Sequence, residues 1–432
     1  MVSGGPVEGP GVATIAYLPA MDRFEDFFDT LDISLEAFRD HLNGGGMFNY
    51  VEALRSAGIR TVLFFGSAHL SEPLRFRHRP TGTPVCLVPS PRLHQKLQGG
   101  RDRYLPGSRV MRSVLSYGSI PPRLLARELR RDRCEAILCQ EYEHARFDVC
   151  SLLGRLLRLP VFATFQGGTA GASRLECPIR PLALRWCSGL IVAAGGELAR
   201  VQSQYALPSA KLAHIPNPID IQANSPLDRG QARERLGIDP NALVVVWHGR
   251  VQIELKGLDT LLDSWRLVCD ARAGTPLLLL LVGRGNDAEQ LRRLLQASRV
   301  DNVRWIDRFV LDRDELLLYL AAADVSALPS RREGFPVAAL EAMACGLPVV
   351  AAEVNGITEM LAGEEAAGGV VVPPGDARAL AGALGRILDD ERLRRELGAR
   401  ARRRLEQRFS LQVVGGQLRD FMVGRGAFRV TR

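Results

Sequence analysis

Pro329-Ser-Arg-Arg-Glu-Gly-Phe-Pro-Val-Ala-Ala-Leu-Glu-Ala-Met-Ala-Cys-Gly-Leu-Pro348 is the stretch on which the reading of this chain turns. An apolar run of strand length, 325–328, leads into it, and the polar residues after Pro329 read as a short loop. Pro336 suits the first position of a helix, where its missing N–H is not needed. Gly346 then stops the helix and Pro348 forbids its continuation. Strand, loop and helix in that order make one unit of an α/β fold with a parallel sheet. Ligands of such sheets bind beyond the carboxyl ends of the strands, which is the edge where Glu333 falls. The unpaired N–H groups of the helix's first turn point toward the same edge and favour an anion. Glu341, eight residues after Glu333, lies a turn or more into the helix, where a carboxylate can accept two hydroxyls of a ribose.

The same rhythm repeats outward. Runs of strand length at 243–247, 277–282, 303–306, 349–352 and 370–372 each precede an amphipathic helical pattern. Further runs at 12–18, 59–65, 84–88, 136–139, 161–165, 190–193 and 213–215 give the first half the same character, least regular between 72 and 120. A chain of 432 residues is too long for one ordinary compact domain and suits two. The segment His214-Ile-Pro-Asn-Pro-Ile-Asp220 carries two prolines that remove backbone donors and fix φ, and the hinge is placed there. The expected organisation is a Rossmann-like domain over 1–214, a second over 215–408, and a tail over 409–432. Helical apolar spacing between 411 and 422 suits a tail that packs back on the first domain.

Composition excludes several classes. With 46% hydrophobic and 24% charged residues the chain is globular rather than disordered. The longest aliphatic run, 277–282, falls far short of the roughly 20 residues that span a bilayer. The first ten residues lack a basic region followed by an apolar stretch, so a cytoplasmic location is expected. Eight cysteines without CxxC or Cys/His spacing read as reduced core residues rather than metal ligands. The net charge of +8 is concentrated between 72 and 133, where 14 Lys/Arg face 4 Asp/Glu. That patch suits a phosphorylated acceptor or peripheral contact with an anionic membrane at its inner face. It lacks the aromatic-interleaved strand or reading helix that nucleic acid would call for.

Two cations complete the picture. His248-Gly249-Arg250 closes the second half's first strand, and Lys256-Gly257 follows after a short loop. A guanidinium fork and an ammonium at that edge can grip a diphosphate. Downstream, Leu281-Val-Gly-Arg-Gly285 offers a strand and a GxG turn, a fragment of the dinucleotide fingerprint. Asp287 follows too soon to be its ribose acid, so a nicotinamide-dependent oxidoreductase is the weaker reading.

Taken together, Gly249-Arg250 with Lys256-Gly257, Gly283 with Gly285, Ala323-Asp324-Val325, Pro329-Ser330, and the run EGFPVAALE followed by AMACGLPVVA resemble the family 4 retaining glycosyltransferases. Asn355-Gly356 and Glu359 fit the same pattern. The resemblance is dense from 190 to 375. It implies the GT-B architecture, two facing Rossmann-like domains with an interdomain cleft. It also implies a nucleotide-diphosphate sugar as donor substrate, no further cofactor, and a glycan, lipid-linked or small-molecule acceptor. By the same resemblance Arg250 and Lys256 hold the donor diphosphate, Glu341 the ribose and Glu333 the donor sugar. Backbone N–H groups of Gly334, Phe335 and Val337 lie near sugar and phosphate. Gly44-Gly45-Gly46 resembles the family's glycine loop, with Gly45 and Gly46 allowing close approach of donor phosphate.

The chain departs from the family where a histidine usually follows the strand 161–165. Gln166 stands there, and an amide cannot take a proton. Glu143 and His144, at the end of the preceding strand, are the other acceptor-side candidates, with Glu141 beside them. Front-face retention is the implied mechanism. The departing phosphate accepts the acceptor's proton, Arg250, Lys256 and the helix N-terminus stabilise its charge, and no metal is needed. No DxD-like pair stands at a strand end. The alternative is a non-catalytic scaffold that binds a sugar nucleotide, and the substitution at Gln166 keeps it in view.

Overall fold

The computed structural model describes residues 12–21, 23–27, 33–92, 94–95, 116–119, 121–165, 167, 175–225, 227–298 and 302–428. By contact they fall into two units. The first holds the described residues up to Leu42, Met47–Asn217 and those from Leu411 on; the second holds Asn43–Gly46 and Pro218–Ser410.

The first unit is built on β1 (Thr14–Leu18), β2 (Arg60–Ser67), β3 (Leu74–Arg77), β4 (Pro84–Pro89), β5 (Ala136–Cys139), β6 (Val161–Phe165), β7 (Gly189–Val192) and β8 (Leu212–His214). They align in the order β3-β4-β2-β1-β5-β6-β7-β8, parallel except for the β3/β4 pair. Sequence reasoning missed β3, because Leu-Arg-Phe-Arg alternates as an edge strand does. Its cue, charge on every second residue, differs from the continuous apolar run that buried parallel strands show. Arg75 on β3 is held by Glu128 (2.8 Å) and Asp132 (2.7 Å), so part of the basic stretch is neutralised in place. The helix Leu411–Gly424 groups with this unit, its Phe421 ring 5.9 Å from that of Phe162. Of the eight cysteines, Cys177 is exposed and Cys269 half-buried, which corrects the reading of all as core residues.

The second unit contains β9 (Leu243–His248), β10 (Leu277–Val282), β11 (Val303–Ile306), β12 (Val325–Leu328), β13 (Val349–Ala352) and β14 (Gly369–Val372). All are parallel, in the order β11-β10-β9-β12-β13-β14. Strands such as Leu-Leu-Leu-Leu-Leu-Val can be apolar throughout because helices cover both faces. Trp247 and Trp265 are wholly buried in the resulting core. The chain winds from β9 outward to β11, then returns past β9 to β12. The reversal opens a crevice at the carboxyl ends of β9 and β12, where doubly wound sheets bind ligands.

Asp324 acts at the opposite end of β12. Its buried carboxylate accepts from the Val244 N–H (2.8 Å) and pairs with Arg229 (2.7 Å) and Arg233 (2.9 Å). The Ala-Asp-Val motif is thus a structural staple at the amino edge of the sheet.

Candidate functional site

The loop after β12 carries the carboxylate that the sequence singled out. Glu333 Oε1 accepts from Lys256 Nζ (2.6 Å) and from Ser330 Oγ (2.7 Å). Lys256 ends a one-turn helix, Ile253–Lys256, on the loop after β9. The two loops touch through Gly257, at φ +64, where a Cβ would stand 2.0 Å from the Pro329 carbonyl oxygen. No other residue permits that approach without displacing the backbone. Arg331 locks the arrangement. Its guanidinium pairs with Asp259 (2.7 Å) and its Nη1 donates to the Glu254 carbonyl (2.9 Å), while its backbone N–H donates to that of Leu255 (2.9 Å).

The helix Val337–Ala344 starts one residue later than the sequence suggests, with Pro336 extended (φ −71, ψ 120) as its N-cap. An N-cap needs no helical φ/ψ, so proline serves equally well there. Gly346 at φ +71 and its N–H to the Met343 carbonyl (3.0 Å) close the other end. The N-terminus has no side-chain cap, which leaves the Val337 end of the helix open toward an anion. Phe335 is buried with its ring 5.6 Å from Phe409, and Gly334 lies beside it on the loop.

Glu341 is buried one turn in, and His248 Nε2 at the end of β9 donates to its Oε2 (3.0 Å). Burial pushes this carboxyl up, but the His248 hydrogen bond, the His248 charge and Arg313 outweigh it, and its pKa is lowered. His248 Nδ1 is buried and finds no hydrogen-bond partner among the described residues. Arg313 opens the helix Arg313–Ala321, donates from Nε to the Ala223 carbonyl (3.0 Å), and is itself buried. A cation at a helix N-terminus opposes the macrodipole, and that anomaly is the one sequence signal for its role beside Glu341.

Arg250 is exposed at the carboxyl end of β9 and makes no ion pair among the described residues. Gly249 and Gly283 bring the loops after β9 and β10 together: a Cβ on Gly283 (φ +136) would lie 2.0 Å from the Gly249 carbonyl oxygen. Arg250, Lys256, Glu333, Glu341 and the helix N-terminus therefore share one edge of one sheet.

The remaining candidates are carried by other elements. The helix Gly45–Ser56 begins on the expected glycines, with Gly44 at φ +85, Gly45 at φ +80 and Gly46 inside its first turn. Gln166 lies outside the described residues. Glu143 and His144 follow β5, with Glu141 ahead of them at φ +66, a left-handed backbone rare for glutamate. His144 is the N-cap of the helix Ala145–Leu157. Glu143 Oε1 accepts from Arg200 Nη2 (3.1 Å), while its Oε2 is buried and unpartnered among the described residues. Burial raises its pKa, against the pull of Arg200. The turn is tied down by Arg180, which pairs with Asp148 (2.8 Å) and donates to the Tyr142 carbonyl. Sequence reasoning singled out Ser330 only as part of a pattern and not as the partner of Glu333, and it missed Arg331, His248 as the partner of Glu341, and Arg313.

Comparison with known proteins gives this geometry its context. Residues 228–404 match the family model described as Glycosyl transferases group 1. A D-inositol 3-phosphate glycosyltransferase of Jonesia denitrificans is 34% identical over 230 residues, 51% of this chain and 53% of that protein. A GDP-mannose-dependent monoacylated alpha-(1-6)-phosphatidylinositol monomannoside mannosyltransferase of Corynebacterium glutamicum is 32% identical over 239 residues, covering 51% and 60%. The chain spans about half the length of the curated relatives it matches. Sucrose-phosphate synthase from Thermosynechococcus elongatus superposes with a TM-score of 0.72 at 23% identity, over 96% of this chain and 99% of that one. HepE of Anabaena, solved in complex with UDP, gives 0.69 at 18% identity over 95% and 100%. These likenesses show the fold: two Rossmann-like α/β domains of the GT-B kind.

Proposed function

We propose, with residues 228–404 carrying a glycosyl transferases group 1 domain, that this protein is a retaining glycosyltransferase using a nucleotide-diphosphate sugar. The observation that carries the reading is the Lys256–Glu333 contact of 2.6 Å at the β9/β12 crevice, with His248–Glu341 and an open helix N-terminus on the same edge. Arg250 and Lys256 take the diphosphate. Glu341, one oxygen held by His248, offers the other to the ribose. Glu333, fixed by Ser330 and Lys256, accepts from a hydroxyl of the donor sugar.

In the transfer step the bond from the anomeric carbon to the phosphate oxygen breaks. The acceptor oxygen bonds the same face of that carbon, and its proton passes to the departing phosphate. The protein's cations and the N–H groups at Val337 stabilise the charge that develops on that phosphate, so no metal is required. Glu143 and His144 serve the acceptor.

The named relatives act on an inositol phosphate and on a phosphatidylinositol mannoside, both anionic acceptors. Together with the basic stretch, they support an acceptor that carries negative charge or lies at an anionic membrane surface. NMR of the first-formed product tests the mechanism. Retained anomeric configuration with activity undiminished by a chelator is expected. An inverted centre, or activity lost to chelator and restored by a divalent metal, contradicts it.

A further inference from the structure

We infer that the paired helices Ala145–Leu157 and Glu176–Trp186 of the first unit form a face that docks on an anionic lipid bilayer. Six large apolar side chains are exposed among the described residues, and four of them lie here: Leu152, Leu156 (72% exposed), Leu182 and Trp186. Leu152 and Leu156 are four residues apart, as are Leu182 and Trp186, so each pair shares one face of its helix. The two helices pack on one another, and the Arg155 guanidinium lies 5.7 Å from the centre of the Trp186 ring. Single exposed leucines need no explanation, but an apolar cluster spanning two elements does.

The charges around the cluster choose its occupant. Arg155, Arg158 and Arg185 are exposed beside it. Lys211 Nζ sits at the Arg185 and Cys187 carbonyls (2.6 and 2.8 Å), and Arg425 Nε at that of Ser188 (2.9 Å). The acids of the two helices are elsewhere: Asp148 is buried against Arg180, and Glu176 stands at the far end of its helix, 3.9 Å from the same arginine. A second copy docking through this face by two-fold symmetry would set arginines against arginines. An anionic bilayer suits both components, with leucines entering the acyl boundary, tryptophan at headgroup level and guanidiniums on lipid phosphates. The inference rests on the reading of an acceptor at an anionic surface, and it assigns the membrane contact to a face other than the basic stretch.

Co-sedimentation of the full chain with phosphatidylcholine vesicles, with and without phosphatidylglycerol, tests it. Binding that requires phosphatidylglycerol is expected, and Leu156→Glu should weaken it on the order of tenfold, since an exposed leucine that would enter the acyl boundary is exchanged for a charge. Donor turnover with a water-soluble acceptor should not change in that variant. Trp186→Phe should keep binding but lose the lipid-dependent shift in emission, because the other three tryptophans lie in the second unit, Trp247 and Trp265 buried and Trp305 half-buried. Leu156→Glu binding as the parent does, or an emission shift that survives in Trp186→Phe, overturns the assignment. So does a dimer in solution that Leu156→Glu dissolves without any vesicle binding. If binding is instead abolished only by Arg123→Glu with Arg127→Glu, two exposed arginines of the basic stretch on the helix Pro122–Arg131, this face falls and the anionic-surface reading stands. Absence of binding by the parent removes both.

Discussion

Glu341, buried in the second domain, and Glu143, half-buried in the first, both stand at the carboxyl edge of a sheet, yet their proton affinities move in opposite directions. Burial pushes both upward, so the difference lies in the partners. Glu341 meets a buried histidine at 3.0 Å, with the charge of buried Arg313 behind it. Glu143 meets a half-exposed Arg200 that is also engaged by Glu197 and Tyr142, and one of its oxygens has no described partner. A partner that shares the burial reverses the desolvation penalty, whereas one in contact with water and shared among several acceptors does not. The second domain therefore holds a carboxyl whose pKa is lowered by its partners, and the first one whose pKa is raised by burial.

The comparison is broken most severely by removing the fixed charges. Arg250→Ala or Lys256→Ala should lower turnover on the order of 10² to 10³ while the melting temperature stays near the parent's. Activity within a factor of two of the parent would remove the assigned role. His248→Ala is next. It leaves burial to act on Glu341 with only the Arg313 charge against it, so the Glu341 pKa should rise, and the lost charge-assisted hydrogen bond should cost about 1.5–3 kcal/mol in urea denaturation. An unchanged midpoint would show that the pair is not formed.

Gentler substitutions sharpen the contrast through pH. The folded pKa of Glu341 is lowered, so its contribution to stability is present above the unfolded value of about 4.3 and lost as pH falls through the folded one. Glu341→Gln should flatten that acid limb. Glu143 is raised, so its contribution is present below the unfolded value and lost as pH rises through the folded one. Glu143→Gln should flatten the opposite limb. Asp148, pushed by burial from 3.8 to about 6 against Arg180 and Tyr117, behaves like Glu143. Asp148→Asn should remove a decline in stability between those two pH values. Thermal melts from pH 3 to 8, a span of about five units, read all three slopes, and parallel slopes in parent and variants would contradict the assignments.

What could be read from the chain divides along the same line. In the second domain, strands buried on both faces leave largely apolar runs, and the ends of 277–282, 325–328 and 349–352 coincide with β10, β12 and β13, as those of 303–306 do with the half-buried edge strand β11. The close approaches at Gly257 and Gly283 demand glycine, so the loop contacts leave a mark in residue identity. Lys256 and Glu333 are 77 residues apart, and only the shared strand-end position of their loops brings them together in the reading. Arg331 and the bracing role of Ser330 were missed because a hydroxyl or guanidinium that braces a neighbour looks, in sequence, like any polar loop residue, and Arg313 is marked only by its place at a helix N-terminus. In the first domain β3 hid in an alternating charged edge, and Glu143 carries no pattern that separates it from a solvated loop.

The central claim is that the edge formed by β9 and β12 holds a nucleoside diphosphate through Arg250 and Lys256. Thermal melts of the parent and of an Arg250→Ala, Lys256→Ala double variant with UDP, GDP and ADP test it most directly. One diphosphate at about 100 times its dissociation constant should stabilise the parent by about 2.7 kcal/mol, with the shift lost in the double variant. A parent stabilised by none of the three, or a shift that persists undiminished without both cations, would contradict the account.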